Sequence, residues 1–145
     1  MPVMRKVSNV LERKGNRVTT VPPEMTVIEA LKLMAEQNIG SVIVMKEGKF
    51  AGIMTERDYS RKVILKGRHS SETKVGEIMT TDFPYVAMND TVESCMQLMT
   101  SHRLRYLPVI EHEQLVGIIS INDLVTETIL TQAETINQLQ SYIQS

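Results

Sequence analysis

Apolar residues follow helical and strand spacing in two similar halves of the chain. In residues 26–34, a threonine precedes apolar positions that recur every three or four residues, which predicts an N-capped helix. Near-continuous apolar runs at 41–45 and 49–54, separated by Glu47-Gly48, predict two buried strands joined by a tight turn. A second helix is expected at about 56–66, with Gly67 as its stop.

The same order of elements returns 65 residues later. Pairing each residue of 26–58 with the residue 65 positions on gives 33 ungapped pairs, of which eight are identical, whereas chance would give about two. The second copy predicts a helix from Thr91 and another from Asn122 onward, with strands at 106–110 and 114–119 between them. Two copies are too few for a solenoid. We therefore predict an α/β (α+β) fold in which two helix–strand–strand–helix repeats pack as a pseudo-two-fold pair.

The segments outside the repeats complete the predicted domain organisation. Val7–Arg13 is expected to form a short helix, and Lys74–Met79 a short helical connector. The tail carries mainly apolar residues at helical spacing, which predicts a helix whose apolar stripe needs a partner surface on this chain or on a second subunit: Ile129, Ala133, Ile136, Leu139 or Gln140, and Ile143. The predicted boundaries are a lead segment 1–16, a first repeat 17–68, a connector 69–81, a second repeat 82–130 and a C-terminal helix 131–145.

Two smaller signals concern the strands. Short extended segments are expected at 17–21 and 85–86, ahead of the two repeats. Pro108 removes one backbone donor from its strand, so we expect it at a sheet edge or a strand end.

Composition narrows the class of protein. The 145 residues are 42% hydrophobic and 23% charged with a formal net charge of −1, which is typical of globular proteins. This charge provides no general attraction to nucleic acid or to an anionic membrane, and no apolar run has the length of a membrane span. The single cysteine, Cys95, excludes an internal disulfide and fits a cytoplasmic location. We therefore expect neither a membrane nor a nucleic acid as partner.

A short motif follows the second strand of each copy. Residues 52–58 and 117–123 share the pattern Gly-x-x-Thr/Ser-x-x-Asp. The hydroxyl falls at a predicted helix start, where backbone N–H groups and the helix dipole attract anions, and the carboxylate follows one turn later. This combination suits a phosphate and a ribose diol; alternatively, the hydroxyl merely caps the helix and the carboxylate favours the dipole. The hydroxyls belong to Thr55 and Ser120, and the carboxylates to Asp58 and Asp123.

These residues resemble the cystathionine-β-synthase (CBS) domain family. The resemblance covers two tandem copies, about residues 17–130, and rests on the doubled motif at fixed spacing. The run at 56–63 is similar to small stand-alone bacterial pairs that also occur in eukaryotic organelles. The resemblance implies a regulatory pair (a Bateman module) that forms a homodimer, binds an adenosine-containing ligand between its repeats and signals to a regulated protein. AMP is the foremost expected ligand, with NAD, ATP and S-adenosylmethionine as the others, and no catalytic cofactor is expected.

The resemblance also implies which residues contact the ligand. In the family, strand backbone and small apolar side chains grip the adenine, and the matching stretches are 41–43 and 106–108. A threonine of the lead-in strand often helps, which indicates Thr19 or Thr20. The first predicted cleft comprises Thr55, Arg57, Asp58, Arg105, Tyr106, Leu107 and Pro108. The second predicted cleft comprises Thr20, Ser41, Val42, Ile43, Ser120, Asn122 and Asp123.

Charge along the sequence predicts that the two clefts differ. Residues 56–68 have a net charge of +3, whereas the counterpart 121–133 has a net charge of −2. Arg105 matches a position from which some family members send a basic side chain to a phosphate. We therefore expect the Asp58 cleft to take the phosphate-bearing ligand, and the Asp123 cleft to be weaker, empty or suited to a less charged adenosine compound. The basic run also fits an ordinary solvated helix face.

The sequence offers little for catalysis. Its three histidines lack metal-ligand spacing to one another and to Cys95. No P-loop, glycine-rich dinucleotide motif or paired nucleophile and base is present. We therefore expect no catalytic residue and no metal site, with a small nucleotide-hydrolysing enzyme as a third hypothesis. The main alternative to a nucleotide sensor is a ligand-independent dimerisation or scaffold module with the tail helix as its contact.

Overall fold

The computed structural model describes residues 5–144, apart from the side chains of Tyr142 and Gln144, and it divides into two compact units. The first-repeat unit is residues 17–83. The second-repeat unit joins the segment up to Asn16 to the chain from Pro84 onward. The segment before the first repeat, which includes helix α1 (Val7–Lys14), therefore packs with the second repeat.

The first-repeat unit has a three-stranded sheet. β1 (Thr20–Val21) pairs in parallel with β2 (Ser41–Lys46), and β2 pairs antiparallel with β3 (Lys49–Thr55). The helices of this unit are α2 (Val27–Gln37), α3 (Glu56–Tyr59), which continues into a π-helical segment (Ser60–Ile64), and the short α4 (Val75–Ile78).

Local sequence accounts for these boundaries. Thr26 caps α2, because its Oγ1 accepts the Glu29 N–H at 3.3 Å. Asn38 ends α2 in the left-handed conformation. Glu47 and Gly48 both have positive φ, 53° and 78°, as a two-residue hairpin turn requires. The apolar face of α2 is fully buried in the core with β2 and β3.

The second-repeat unit repeats this plan with a smaller sheet. β4 (Tyr106–Glu111) and β5 (Gln114–Ser120) form an antiparallel pair, preceded by α5 (Val92–His102) and followed by α6 (Ile121–Gln144). α6 is one continuous helix, so the boundary predicted at 130/131 falls inside it. Among the helices that the structure describes, none combines the length and the apolar character needed to cross a membrane.

Pro108 explains why the second sheet has one strand fewer. In the first-repeat unit, the Ile43 N–H donates to Thr19 O at 3.1 Å and helps to fix β1. Pro108 stands at the equivalent place and has no N–H to donate. Only an isolated parallel bridge between Val86 and Val109 remains there. Pro108 lies in the middle of β4, and since both strands of a two-stranded sheet are edge strands, the predicted edge position is confirmed.

The helices α1 and α4 occupy equivalent places in the two units. The Val7 N–H donates to Asp90 O at 2.9 Å, and the Val75 N–H donates to Met25 O at 2.8 Å. Their sequences share a lysine followed by apolar positions, KVSNVL at 6–11 and KVGEIM at 74–79. Each repeat is thus covered by the short helix that precedes the other repeat along the chain. The predicted mixed α/β (α+β) class and the two helix–strand–strand–helix repeats are confirmed.

Candidate functional site

The first junction, residues 52–58, joins β3 to α3 and is held by a reciprocal cap. The Thr55 N–H donates to Asp58 Oδ2 at 2.9 Å, and the Asp58 N–H donates to Thr55 Oγ1 at 3.2 Å. The hydroxyl of Thr55 also lies 3.1 Å from Asp58 Oδ2. This capping box satisfies two N–H groups at the helix start and orients the carboxylate.

Further partners occupy the other oxygen of Asp58. The Thr80 hydroxyl donates to Asp58 Oδ1 at 3.0 Å, and Lys62 Nζ lies 3.1 Å from the same atom. Lys62 Nζ also donates to Ile78 O at 2.8 Å. The Asp58 side chain is 9% exposed, so a ribose would have to displace protein donors to reach it. In this conformation, Asp58 fits the capping alternative.

The second junction, residues 117–123, joins β5 to α6 with the same cap but a more open carboxylate. The Ser120 N–H donates to Asp123 Oδ2 at 2.8 Å, and the Asp123 N–H donates to Ser120 Oγ at 3.2 Å. Lys14 Nζ donates to the same Oδ2 at 2.7 Å and to Ile118 O at 2.9 Å. The Asp123 side chain is 22% exposed, and its hydrogen bonds to the described residues fall on Oδ2.

Charge at the second junction comes from a distant segment. Position 62 of the first repeat corresponds to position 127 of the second, where lysine is replaced by glutamate. The cation beside Asp123 is therefore Lys14, which α1 supplies. The contrast of +3 against −2 counted along the sequence overstates the difference, because that count omits the segment folded onto the second repeat.

Glu127 is a buried carboxylate with its own cations. Its side chain is 1% exposed, and Arg13 Nε donates to its Oε2 at 2.9 Å while Arg5 Nε lies 3.5 Å from Oε1. The hydrogen bond to Glu127 raises the pKa of the Arg13 guanidinium. Burial of an unpaired carboxylate would be costly, so these arginines fix α1 against α6 and thereby place Lys14.

The glycines of the two junctions allow close packing within each unit. A Cβ on Gly52 would lie 2.7 Å from Thr80 O, and a Cβ on Gly117 would lie 3.1 Å from Leu11 Cδ2. The space left by the missing Cβ atoms is thus filled by the protein itself. The segment after α4 packs against Gly52, and α1 packs against Gly117.

The residues predicted to grip a base serve mainly as core. The side chains of Val42, Ile43 and Leu107 are at most 1% exposed, which leaves only their backbone for a ligand. Ser41 and Pro108 are also buried, Tyr106 is half-buried, and the exposed members of the predicted set are Thr20, Arg57, Arg105 and Asn122. The Thr19 hydroxyl is hydrogen-bonded to Gln37. Contact of these residues with adenine, through their backbone or side chains, stays a prediction.

Sequence reasoning missed Lys14 and Thr80 as neighbours of the two carboxylates. Lys14 is the last residue of α1, and Thr80 lies two residues after the end of α4. The signal was present, since KVSNVL and KVGEIM recur 68 residues apart rather than 65. Within residues 5–144, no group of three His, Cys, Asp or Glu side chains is arranged to hold a metal ion.

Comparisons with known proteins agree with this architecture. The CBS domain family matches residues 7–64 and 75–129, so each match begins at α1 or α4. The mitochondrial CBS domain-containing protein CBSX3 of Arabidopsis thaliana is 37% identical over 147 residues, which cover 95% of this chain and 71% of the relative. The CBS domain-containing protein YhcV of Bacillus subtilis is 35% identical over 118 residues, covering 81% of this chain and 84% of the relative.

A solved structure shows the same fold. A protein with CBS domains from Burkholderia ambifaria has a TM-score of 0.83 at 44% identity, covering 86% of this chain and 94% of its own. The resemblance predicted from the doubled motif is confirmed. The chain belongs to the CBS domain family, as a tandem pair of such domains.

Proposed function

We propose that this chain is a regulatory module that binds an adenosine-containing ligand and transmits the bound state to a partner protein, without catalysing a reaction. Family membership supports the general role, since stand-alone CBS domain proteins are its relatives. The CBS domain pair of the protein MJ0100, 21% identical with a TM-score of 0.76, was solved with 5′-methylthioadenosine and S-adenosyl-L-methionine. That likeness supports the fold as one able to hold an adenosine group.

The observation that carries the proposal is the partly exposed carboxylate of Asp123 at the start of α6. Ser120, capping a helix of 24 residues, places a hydroxyl beside the positive end of the helix dipole. Asp123 is 22% exposed, and its hydrogen bonds to the described residues fall on Oδ2, so its other oxygen can accept a hydrogen bond from a ribose diol, and Lys14 supplies a cation for a phosphate. We therefore place the principal ligand contacts at Ser120, Asn122 and Asp123, with Lys14 added.

The first junction is proposed as the weaker contact. Thr55, Arg57 and Asp58 carry the same chemistry as their counterparts, but both oxygens of Asp58 have donors within the unit. A ribose there exchanges existing hydrogen bonds for new ones, so the net gain is small. This reverses the ranking of the two sites that charge counting along the sequence favoured.

AMP remains the first ligand to test. It presents the ribose diol to the carboxylate and one phosphate to the lysine, and NAD and ATP contain the same adenosine phosphate. S-adenosylmethionine has the ribose without the phosphate and carries a positive charge beside it, so Lys14 disfavours it. The cellular compartment stays a prediction: the cytoplasm is expected from the sequence, whereas CBSX3 is named as mitochondrial.

Isothermal titration of the purified chain with AMP, NAD, ATP and S-adenosylmethionine tests the proposal. Asp123→Asn keeps the size of the side chain and removes its charge, and it should weaken AMP binding about tenfold, since a hydrogen bond to a charged group contributes about 1.5–3 kcal/mol. Asp58→Asn should weaken binding less. Asp82→Asn is the matched control, because Asp82 is exposed and lies outside both junctions, so it should leave the affinity unchanged.

Thermal unfolding gives an independent measure. A ligand present at 100 times its Kd should stabilise the folded chain by about 2.7 kcal/mol. If none of the four ligands shifts the unfolding temperature of the wild type, the nucleotide proposal fails.

The second candidate function, a dimerisation or scaffold module without ligand, is favoured by one observation. Large aliphatic side chains of α6 are exposed, among them Ile129, Ile136 and Leu139, and such a row typically marks an interaction surface. Absence of any nucleotide effect together with self-association through α6 would support this candidate.

A further inference from the structure

In the first-repeat unit, the π-helical segment and the residues just after it carry aliphatic and basic side chains on one exposed side. Ile64 is 54% exposed and Leu65 is 76% exposed. From Ser60 to Arg68 the chain has four cations and no acidic residue. We call Arg61, Ile64, Leu65 and Lys66 the basic–aliphatic face. Exposed apolar side chains rimmed by charge are typical of a surface that contacts another molecule.

The backbone holds this face in a defined orientation. The Leu65 N–H donates to Ser60 O at 3.0 Å, a bond between residues five apart that makes this turn wider than an α-helical turn. The Arg68 N–H donates to Val63 O at 2.9 Å around Gly67, which has a φ of 67°. This arrangement is the Schellman motif that ends many helices. The face is therefore part of an ordered helix end.

The equivalent leucine of the second repeat lies in different surroundings. Leu130 is 65 positions after Leu65 and belongs to the regular helix α6. It is half-buried, whereas Leu65 is exposed. Wide turns of the π type are rare and occur frequently at functional sites. The first repeat thus presents to solvent a leucine that the second repeat packs against its own unit.

Two of the four cations in this segment remain available to an external anion. Lys62 and Arg68 are ion-paired with acidic residues of the same unit, at 3.1 Å and 2.5 Å. Arg61 and Lys66 are exposed, and within residues 5–144 neither of them forms an ion pair. Lys66 also suits the negative end of the helix, but that role requires neither Arg61 nor an exposed aliphatic pair.

Charge and apolar character together define the partner. An acidic segment would neutralise Arg61 and Lys66, and a large apolar residue within it would cover Ile64 and Leu65. A second copy of this chain would instead bring the same cations against each other, which is unfavourable. A lipid surface requires a broader apolar face than two side chains provide. We propose that the basic–aliphatic face binds an acidic segment of another protein, one that carries leucine or a similar large apolar residue.

This proposal rests on the proposed function for the role of that protein, which would be the regulated partner. The binding itself is separate from nucleotide binding, since the face includes none of the residues proposed to contact the nucleotide. A face of this size suits a weak and transient contact. We therefore expect a Kd on the order of 10–100 μM for a single segment.

Fluorescence anisotropy with a defined probe tests the proposal. The probe is a labelled peptide of about 14 residues in which leucine recurs at every third or fourth position among glutamates. Its control peptide has glutamine in place of each glutamate. The full chain should bind the acidic probe, and binding should weaken as salt is raised. It should bind the glutamine version at least about fivefold more weakly.

Matched variants of the chain locate the contact. Leu65→Ser should weaken binding of the acidic probe about tenfold, because it removes the most exposed apolar side chain of the face. Leu139→Ser is its control, since Leu139 is 58% exposed in the uncharged stretch 135–144. Arg61→Gln should weaken binding about threefold. Lys49→Gln removes an exposed cation from the hairpin of the same unit and should change nothing.

Two results of the peptide titration would overturn the proposal. One is the absence of binding of the acidic probe by the wild type. The other is an equal loss of affinity in Leu65→Ser and Leu139→Ser. AMP affinity should be the same in Leu65→Ser and in the wild type, so failure of the docking surface can be distinguished from failure of the nucleotide proposal.

Further measurements on Leu65→Ser test the other occupants of the face. Sedimentation should show the same self-association for this variant as for the wild type. Vesicles of phosphatidylserine and phosphatidylcholine should bind neither protein. Weaker self-association of Leu65→Ser would assign the face to a contact between copies of this chain, and vesicle binding that this variant loses would assign it to lipid. Either result overturns the acidic segment as the occupant.

Discussion

The first and second junctions share a motif, yet their carboxylates lie in different surroundings. Asp58 is 9% exposed and accepts from Thr55, Thr80 and Lys62 with both oxygens. Asp123 is 22% exposed, and within residues 5–144 its side-chain hydrogen bonds fall on Oδ2. The cap itself is the same in both, because it depends only on residues within the motif. The difference arises from residues outside the motif that fold onto it.

The comparison teaches that a repeated motif can serve structure in one copy and remain available for binding in the other. The lysine four residues after Asp58 binds it from the same helical segment. The equivalent residue of the second repeat, Glu127, forms an ion pair with an arginine instead, and Asp123 pairs with Lys14. One substitution at equivalent positions thus changes which part of the chain controls the carboxylate.

The largest expected effect is on stability. Asp58→Ala removes a nearly buried acceptor and leaves the Thr55 N–H, the Thr80 hydroxyl and Lys62 without it, so unfolding free energy should fall by about 3 kcal/mol. Asp123→Ala removes a half-buried cap partner and should cost about 1 kcal/mol. Urea denaturation of both variants measures the difference.

Thr80→Val provides the control for this pair. It preserves shape and removes the hydroxyl that donates to Asp58 Oδ1, so it should cost about 1 kcal/mol, between the wild type and Asp58→Ala. Equal losses for Asp58→Ala and Asp123→Ala would show that the first junction is as open in solution as the second.

Substitution of the two motif glycines should also cost more stability at the first junction than at the second. In Gly52→Ala the new Cβ would lie 2.7 Å from Thr80 O, a backbone atom held by the paired bonds between Ile53 and Thr80. We expect a loss of about 2 kcal/mol. In Gly117→Ala the nearest atoms are the ends of the Leu11 side chain, which can rotate away, so the expected loss is about 0.5 kcal/mol. Thermal unfolding of the two variants measures this, and a larger loss for Gly117→Ala would contradict it.

Much of the fold follows from the spacing of apolar residues. The helix after Thr26, both strand pairs and their turns lie where periodicity places them, because each is fixed by local caps, turn residues and one buried face. The extended segment before the second repeat was also expected, but Pro108 limits it to one bridge. That outcome follows because proline has no N–H to donate. The sequence shows the proline, but its effect can be predicted only when the segment that pairs with β4 is known.

The candidate site was less predictable because its neighbours come from far along the chain. Charge counting near Asp123 omitted Lys14, which lies more than a hundred residues away and reaches the junction only because α1 packs on the second repeat. Asp58 Oδ1 likewise accepts a hydrogen bond from Thr80, which lies outside the motif. Local patterns identify the cap, whereas the availability of the carboxylate depends on long-range packing that no local spacing reveals.

A smaller effect should distinguish the two repeats at alkaline pH. Cys95 of α5 stands where α2 has Ala30, and both are fully buried. Burial, aided by the charge of Asp90, raises the pKa of the Cys95 thiol from 9.0 to about 11. Between these values the unfolded chain loses the proton and the folded chain keeps it, so stability falls as pH rises. At pH 10 the loss should be about 1 kcal/mol relative to neutral pH.

Cys95→Ala isolates this contribution. The variant makes the second repeat resemble the first, and it costs packing energy at every pH. Its deficit relative to the wild type should therefore shrink by about 1 kcal/mol between pH 7.5 and pH 10, as measured by urea denaturation. A constant deficit would mean that the folded thiol ionises as readily as the unfolded one.

The smallest expected effect concerns how Lys14 influences ligand choice. Lys14 Nζ lies 2.7 Å from Asp123 Oδ2, so it competes with a ribose for the carboxylate and also attracts a phosphate. Lys14→Met should therefore strengthen binding of adenosine and weaken binding of AMP, each by about two- to threefold, as for a partly exposed ion pair. Titration with both ligands measures the ratio of the two affinities.

Lys6→Met is the matched control for this test, because Lys6 lies next to the same helix and binds Asn89 rather than the junction. It should change neither affinity. A loss of both ligands in Lys14→Met would mean that the lysine orients Asp123 for binding and does not select for a phosphate. Opposite changes for the two ligands would instead show that the lysine from α1 sets the preference for a phosphate, which makes the segment before the first repeat a working part of the second.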